Sequence, residues 1–234
     1  MALLFSIRVF ADSKFAVWHI TEPVSHFVTE VPLSALEAQD IKELKGRRYE
    51  EWWACRWLLH RLTGAGQRLP LAKTAFSKPF FLEHPDLHCS LSHSQGIVAA
   101  LLSDRNCGCD IQVQTGKMAH IAPRFLHPAE KQWVEGHPAE RHIGLQHLFW
   151  TMEEAMYKTY SLKELDFREH IRIAPFDWNG HEGAGTGTIC KGAFSKTYRL
   201  VFGKYEAPEP DFDGPDTVRL LPLPGLYWTV CCEA

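Results

Sequence analysis

Apolar and polar positions alternate loosely through residues 3–20, with Phe5, Ile7 and Val9 and then Phe15 and Val17 on the apolar beat. That period of two predicts a hairpin or a pair of strands with one buried face. Ser34-Ala35-Leu36-Glu37 fits a capping box, in which the serine accepts an amide of the first turn and the glutamate reaches back to the cap. A short helix to Lys45, stopped by Gly46, is expected there. From residue 48 to 62 the period lengthens: Ala54, Leu58 and Leu62 recur every four residues with Trp53 and Trp57 beside them. This predicts a long amphipathic helix closed by Gly64. Its aromatic face fits core packing, with a cofactor box as the alternative.

Two short apolar runs, 87–92 and 97–102, flank His93-Ser94-Gln95-Gly96, and a third strand is expected at 109–113. Short connections favour an antiparallel meander of the three. Residues 122–135 predict two short helices, with Pro128 opening the second. A strong helix follows from about Leu145 to Tyr160. Strand signals then recur at 171–173, 198–202, 218–221 and 226–230, broken by Gly, Pro and Asp. Both halves thus run helix then strands and meet near residue 115. The expected fold is α+β: two similar, pseudo-symmetric halves, 1–115 and 116–234, each a small, mostly antiparallel sheet packed with helices.

Composition narrows the chemistry. A chain of 234 residues can bury roughly 70% of the surface its unfolded form exposes. With 45% hydrophobic and 23% charged residues and a net charge of −3, it is not a basic nucleic-acid-binding protein, so any anion site must be local. The amino terminus reaches Arg8 and Asp12 without a signal-length apolar run. No stretch approaches the roughly 20 apolar residues of a bilayer span. Seven cysteines without C-x-x-C spacing suit reduced thiols, so a cytoplasmic location with no membrane partner is expected. Thirteen histidines include no H-E-x-x-H, and scattered loop histidines are the expectation.

Three constellations carry chemistry. In Gly108-Cys109-Asp110-Ile111-Gln112 an acid interrupts an apolar strand. Strand geometry puts Asp110 and Gln112 on one face and Ile111 on the other. A buried carboxylate needs a cation or hydrogen bonds opposite it, unless Asp110 merely caps a turn. In Trp150-Thr151-Met152-Glu153-Glu154-Ala155-Met156-Tyr157-Lys158, residues 150, 154 and 158 share a helix face, while Met152, Ala155, Met156 and Thr159 form the core face. By itself the Glu154/Lys158 spacing is also that of an ordinary surface ion pair. Ser90-Leu91-Ser92-His93-Ser94, preceded by Lys78-Pro79, is expected to be a small polar turn whose hydroxyls, imidazole and amides suit a phosphate. A plain hairpin connection would use the same residues.

The order Lys-Pro, Ser-His-Ser, Gly-x-Asp-Ile, Trp-x-x-x-Glu-Ala-x-x-Lys resembles the Sfp-type 4'-phosphopantetheinyl transferase superfamily, by motif from Arg47 to Lys158. The resemblance implies transfer of the phosphopantetheine arm of coenzyme A to a serine of an apo acyl or peptidyl carrier protein, releasing 3',5'-ADP. It implies Mg²⁺ held by Asp110 and Glu154, with Gln112 offering a neutral oxygen, against the coenzyme A pyrophosphate. Glu154, or water beside it, would take the serine proton, and Lys158 and His93 would contact phosphates. Lys78 and Ser92 would belong to the nucleotide pocket, and Arg47 and Arg48 to the 3'-phosphate. Coenzyme A is expected in a cleft between the halves, and two fused halves make a monomer sufficient. Two positions depart from the pattern. Gln112 stands where many members have an acid, and Glu153 where lysine is common, which places an anion near the phosphates. A relative that binds without transferring, and a phosphohydrolase built on Asp110 and Glu154, are the rival readings.

Overall fold

The computed structural model describes residues 3–207 and 225–234. The first sheet contains β1 (Leu3–Val9), β2 (Ser13–His19), β3 (Leu71–Lys73), β4 (Pro79–Phe81), β5 (His88–Ser94) and β6 (Ile97–Ser103). Its spatial order is β1-β2-β6-β5-β4-β3, antiparallel throughout. Helices α1 (Val24–Glu30), α2 (Ala35–Asp40) and α3 (Arg47–Thr63) belong to this half. Strand β6 is buried along its whole length. Val98, Ala100 and Leu102 join Trp53, Ala54 and Leu58 of α3, whereas Ile97, Ala99 and Leu101 face the second sheet. Two covered faces explain why the run 97–102 is continuously apolar instead of alternating.

The second half contains β7 (Cys107–Val113), α4 (Met118–Phe125), α5 (Pro128–Glu135), α6 (Ala139–Tyr160), α7 (Phe167–His170), β8 (Ile171–Ile173), β9 (Glu182–Lys191), β10 (Phe194–Tyr205) and β11 (Leu226–Glu233). Its strands form an antiparallel sheet in the order β7-β11-β10-β9-β8. The α+β architecture of two antiparallel sheets, each packed with helices, is the one the sequence predicts. Among the described residues, no helix is long and apolar enough to cross a membrane.

Several local expectations hold. Ser34 and Glu37 form the capping box, Gly64 ends α3 in the left-handed region (φ 67°), and Pro128 opens α5. Others need correction. The three-strand meander is a hairpin of β5 and β6 only, because β7 crosses to the second sheet and pairs with β11. The polar segment 90–94 is not a turn but the body of β5, and the turn is Gln95-Gly96, both at positive φ. Strand β9 was read as loop on account of its glycines. A Cβ on Gly187 would lie 2.4 Å from the Met156 sulfur, so bareness there admits the core side chain of α6. The strand expected at 218–221 lies outside the described residues.

The sheets are joined by side chains standing in for a strand ladder. Ser90, Ser92 and Ser94, alternate residues of β5, accept the amides of Cys109, Ile111 and Val113 at 3.0, 3.2 and 3.0 Å. The outer edge of β7 is thereby satisfied without another strand. Beneath this seam Val9, Phe15, Val17, Ile97, Ile111 and Trp228 pack into a shared core.

Candidate active site

Strand β7 positions Asp110. Its odd residues, Cys107, Cys109, Ile111 and Val113, enter the core between the sheets, so Asp110 points the other way, toward α6. Helix α6 can lie close because residue 108 is glycine: a Cβ there would sit 2.1 Å from the Ala155 carbonyl oxygen and 2.6 Å from Thr159 Oγ1. The Gly-x-Asp spacing therefore couples helix approach to carboxylate placement. Asp110 is 7% exposed. Its Oδ1 accepts from Ser92 Oγ at 2.6 Å and from Lys158 Nζ at 2.7 Å. The cation and hydrogen bond that burial demands are both present, and Asp110 is no turn cap.

On α6, Met152, Ala155, Met156 and Thr159 are buried, and Glu154 and Lys158 are partly exposed on the opposite face, as the spacing predicts. Lys158 also donates to the Cys109 and Leu91 carbonyls at 3.0 and 3.4 Å, tying α6 to both β5 and β7. Burial is the largest influence and opposes its charge, but Asp110, Cys109 and Glu154 together hold its pKa above the usual lysine range. Glu154 is pushed up to about 7, first by burial and then by the Asp110 charge, which Lys158 only partly offsets. Gln112 shares the Asp110 face of β7, is partly exposed, and donates through Nε2 to the Val113 carbonyl.

Glu153 overturns an expectation. It is 0% exposed and sits on the core side of α6, where neither carboxylate oxygen finds a protein hydrogen-bond partner. Burial, with the charges of Glu130 and Glu154 adding to it, raises its pKa well above the carboxylate range. No anion is therefore set among phosphates by this residue.

The remaining expected residues fall around the same seam. Lys78 donates to Asn106 Oδ1 and to the carbonyls of Cys107 and Thr159, and burial lowers its pKa. Ser92 is 4% exposed, and its hydroxyl serves Asp110 and the Ile111 amide. His93 projects from the opposite face of β5, between Glu51 and Arg48. Arginine can only donate, so His93 Nε2 accepts from Arg48 at 3.2 Å and Nδ1 gives its proton to Glu51 Oε2 at 2.9 Å. Burial, helped by Arg48 against Glu51, holds His93 below the ordinary histidine range, so this contact is a neutral hydrogen bond and not an ion pair. Arg48 thus reaches the site, whereas Arg47 is exposed and has no side-chain hydrogen-bond or ion-pair partner among the described residues.

Between β4, β5, α3 and the end of α6 lies a cavity of about 350 Å³. Five cations line it, Arg56, Lys73, Lys78, Lys158 and Lys163, together with Trp52, Phe76 and Tyr157, and no Asp or Glu does. Lys158 is the link between the cavity and the acidic pair. Arg56, Lys73 and Lys163 were not singled out by sequence. Arg56 sits inside a helix whose neighbours are core residues, and only its guanidinium, stacked 3.4 Å over the Trp52 ring centre and paired with Glu37, explains its place.

A divalent cation suits the acidic end. Asp110 and Glu154 repel each other, and among the described residues the Glu154 carboxylate has no hydrogen-bond donor. Among the described residues no group of three or more His, Cys, Asp or Glu is assembled to hold a metal. Asp110 and Glu154 are the residues that could hold one, and Mg²⁺ commonly uses only one or two protein carboxylates.

Comparison with known proteins places part of the chain among relatives. Residues 106–206 match the model of the 4'-phosphopantetheinyl transferase superfamily. The chain is similar to a 4'-phosphopantetheinyl transferase of Bacillus subtilis, 30% identical over 84 residues, which is 36% of this chain and 37% of that protein. It is also similar to 4'-phosphopantetheinyl transferase gsp of Aneurinibacillus migulanus, 25% identical over 103 residues, or 44% and 43% of the two chains. Each match spans less than half of the relative's length. The segment bearing Asp110 and Glu154 thus resembles the family to which the motif order points, the 4'-phosphopantetheinyl transferase superfamily.

Proposed function

We propose that the chain transfers the 4'-phosphopantetheine group of coenzyme A to a serine of an apo acyl or peptidyl carrier protein, releasing 3',5'-ADP, and does so as a monomer. The observation that carries this reading is the adjacency of two unlike regions: a cation-lined cavity without acids, and a carboxylate pair at its end. A nucleotide with several phosphates fits the first, and a metal-bridged pyrophosphate fits the second.

Asp110 and Glu154 would hold Mg²⁺, with Gln112 contributing an oxygen directly or through water. That ion supplies neutralisation of charge on the pyrophosphate. Glu154, or a water beside it, would accept the serine proton. The serine oxygen then bonds to the β-phosphorus, the bond from that phosphorus to the bridging oxygen breaks, and the electron pair leaves with 3',5'-ADP. Lys158 neutralises charge at the junction, and Arg48, held by His93, offers donors at the rim. No nucleophile from this chain is required. The chain's work is to position partners and stabilise developing charge.

The test is mass spectrometry of apo acyl and peptidyl carrier proteins incubated with the protein, coenzyme A and Mg²⁺. A gain of one phosphopantetheine on the carrier serine is expected. Coenzyme A binding with no mass gain on any carrier would instead identify a non-transferring relative, and release of phosphate from coenzyme A alone a phosphohydrolase.

A further inference from the structure

The segment that follows α6 departs from ordinary backbone in a way that has a local explanation. Ser161 closes α6 as a left-handed cap at φ 51°, its amide donating to the Tyr157 carbonyl, and Lys163 and Glu164 follow at φ 30° and 60°, non-glycine residues in the left-handed region beyond the cap. Glycine would adopt these angles freely, and a residue with a Cβ does so only against its intrinsic preference. Such conformations persist where surrounding structure over-determines them, and they cluster at ligand clamps. Ser161 and Lys163 both line the cavity of about 350 Å³, and Ser77, left-handed at φ 70°, lines it from the facing loop. Glu164 turns outward to Lys191 at 3.6 Å.

The cavity's cations differ in one respect. Arg56 is paired with Glu37, Lys73 with Asp40 at 2.6 Å, and Lys158 with Asp110. Lys78 donates to an amide oxygen and two carbonyls. Lys163 alone of the five has no hydrogen-bond or ion-pair partner among the described residues, and it is exposed. A cation that is already matched adds little new attraction for an incoming anion, because its partner's field cancels much of its own. An unmatched one adds its full charge.

We propose that Lys163 is a phosphate-binding residue of this cavity, held on its wall by the left-handed turn 161–164. This rests on the reading of the cavity as the site of the coenzyme A nucleotide, and it assigns one side chain to a phosphate of that nucleotide. The strained turn makes Lys163 a positioned donor, and its freedom from internal partners leaves its ammonium available to the ligand.

Calorimetric titration with 3',5'-ADP at low and moderate salt tests this, using the intact protein, Lys163→Gln and Lys163→Arg. Lys163→Gln should weaken binding on the order of tenfold and flatten its salt dependence, as loss of a charge-assisted hydrogen bond requires. Lys163→Arg should bind nearly as the parent does. All three should melt alike, because the side chain is exposed. A parent that binds 3',5'-ADP and a Lys163→Gln variant with unchanged affinity would overturn the assignment while leaving the cavity's reading intact. A parent that binds neither 3',5'-ADP nor coenzyme A would remove both.

Discussion

The carboxylate of Asp110 meets the ammonium of Lys158 at 2.7 Å, and Glu154, one turn earlier on α6, shares that electrostatic neighbourhood without a cation of its own. The two acids are thus unequal in the metal-free protein. Asp110 is integral to the seam between β5, β7 and α6. Glu154 is a charge awaiting a partner.

That inequality separates two variants that the sequence alone would treat alike. Asp110→Ala removes the counter-charge of a mostly buried lysine and a partner of Ser92, and should lower stability by about 2 kcal/mol, less than for a fully buried pair because Lys158 is 28% exposed. Glu154→Gln should leave the metal-free melting temperature unchanged or higher. Transfer activity should be lost in both. Thermal melts with and without Mg²⁺ and coenzyme A distinguish them, and an Asp110→Ala protein that still modifies a carrier would remove Asp110 from the metal site.

Gly108→Ala tests the closeness of strand and helix. An added methyl would overlap the Ala155 carbonyl at 2.1 Å, and that oxygen belongs to the helix backbone and cannot swing aside. Displacement of α6 should cost about 2–3 kcal/mol and reduce coenzyme A binding together with stability. Hydrogen exchange of α6 amides would report the displacement directly.

Glu153 offers a stabilising change. Both of its oxygens are buried without a partner, so Glu153→Met should raise stability by about 1–3 kcal/mol, with coenzyme A affinity unaltered. Glu153→Lys, which a surface reading would expect to tighten coenzyme A binding, should instead destabilise the fold by burying an ammonium. Chemical denaturation and ligand titration of the two variants check both statements.

How far the sequence carried these conclusions depended on the range of the interaction. Period-two and period-four patterns located β7 and α6, and with them Asp110, Glu154 and Lys158, because side-chain direction follows from local geometry. Ser92 was found as a polar residue, but its service to the Ile111 amide and Asp110 depends on β5 lying against β7, a pairing between sheets that no local pattern encodes. The burial of Glu153 escaped notice for a similar reason. Adjacent helix residues lie about 100° apart, and only the packing of α5 and β8 shows how wide the buried arc of α6 is. Lys163 gave no motif signal, since a lysine in a loop is ordinary until the backbone angle and the cavity behind it are seen.

The pH dependence of stability singles out Glu154. Its pKa rises from 4.5 unfolded to about 7 folded, so the folded state binds a proton that the unfolded state releases first. Below pH 4.5 both states are protonated and the full stability is present. As pH climbs from there toward 7 the unfolded state ionises alone, and stability falls by up to about 3 kcal/mol before levelling off. Glu154→Gln cannot ionise and should lack this part of the slope, so parent and variant should match near pH 4.5 and diverge by pH 7 in favour of the variant. Saturating Mg²⁺ with coenzyme A should reverse that order, because a bound cation favours the ionised carboxylate that only the parent possesses. Urea denaturation across pH 4.5–8, with and without the ligands, measures both halves. Parallel curves for parent and variant at every pH would show that Glu154 does not stand in the field of Asp110.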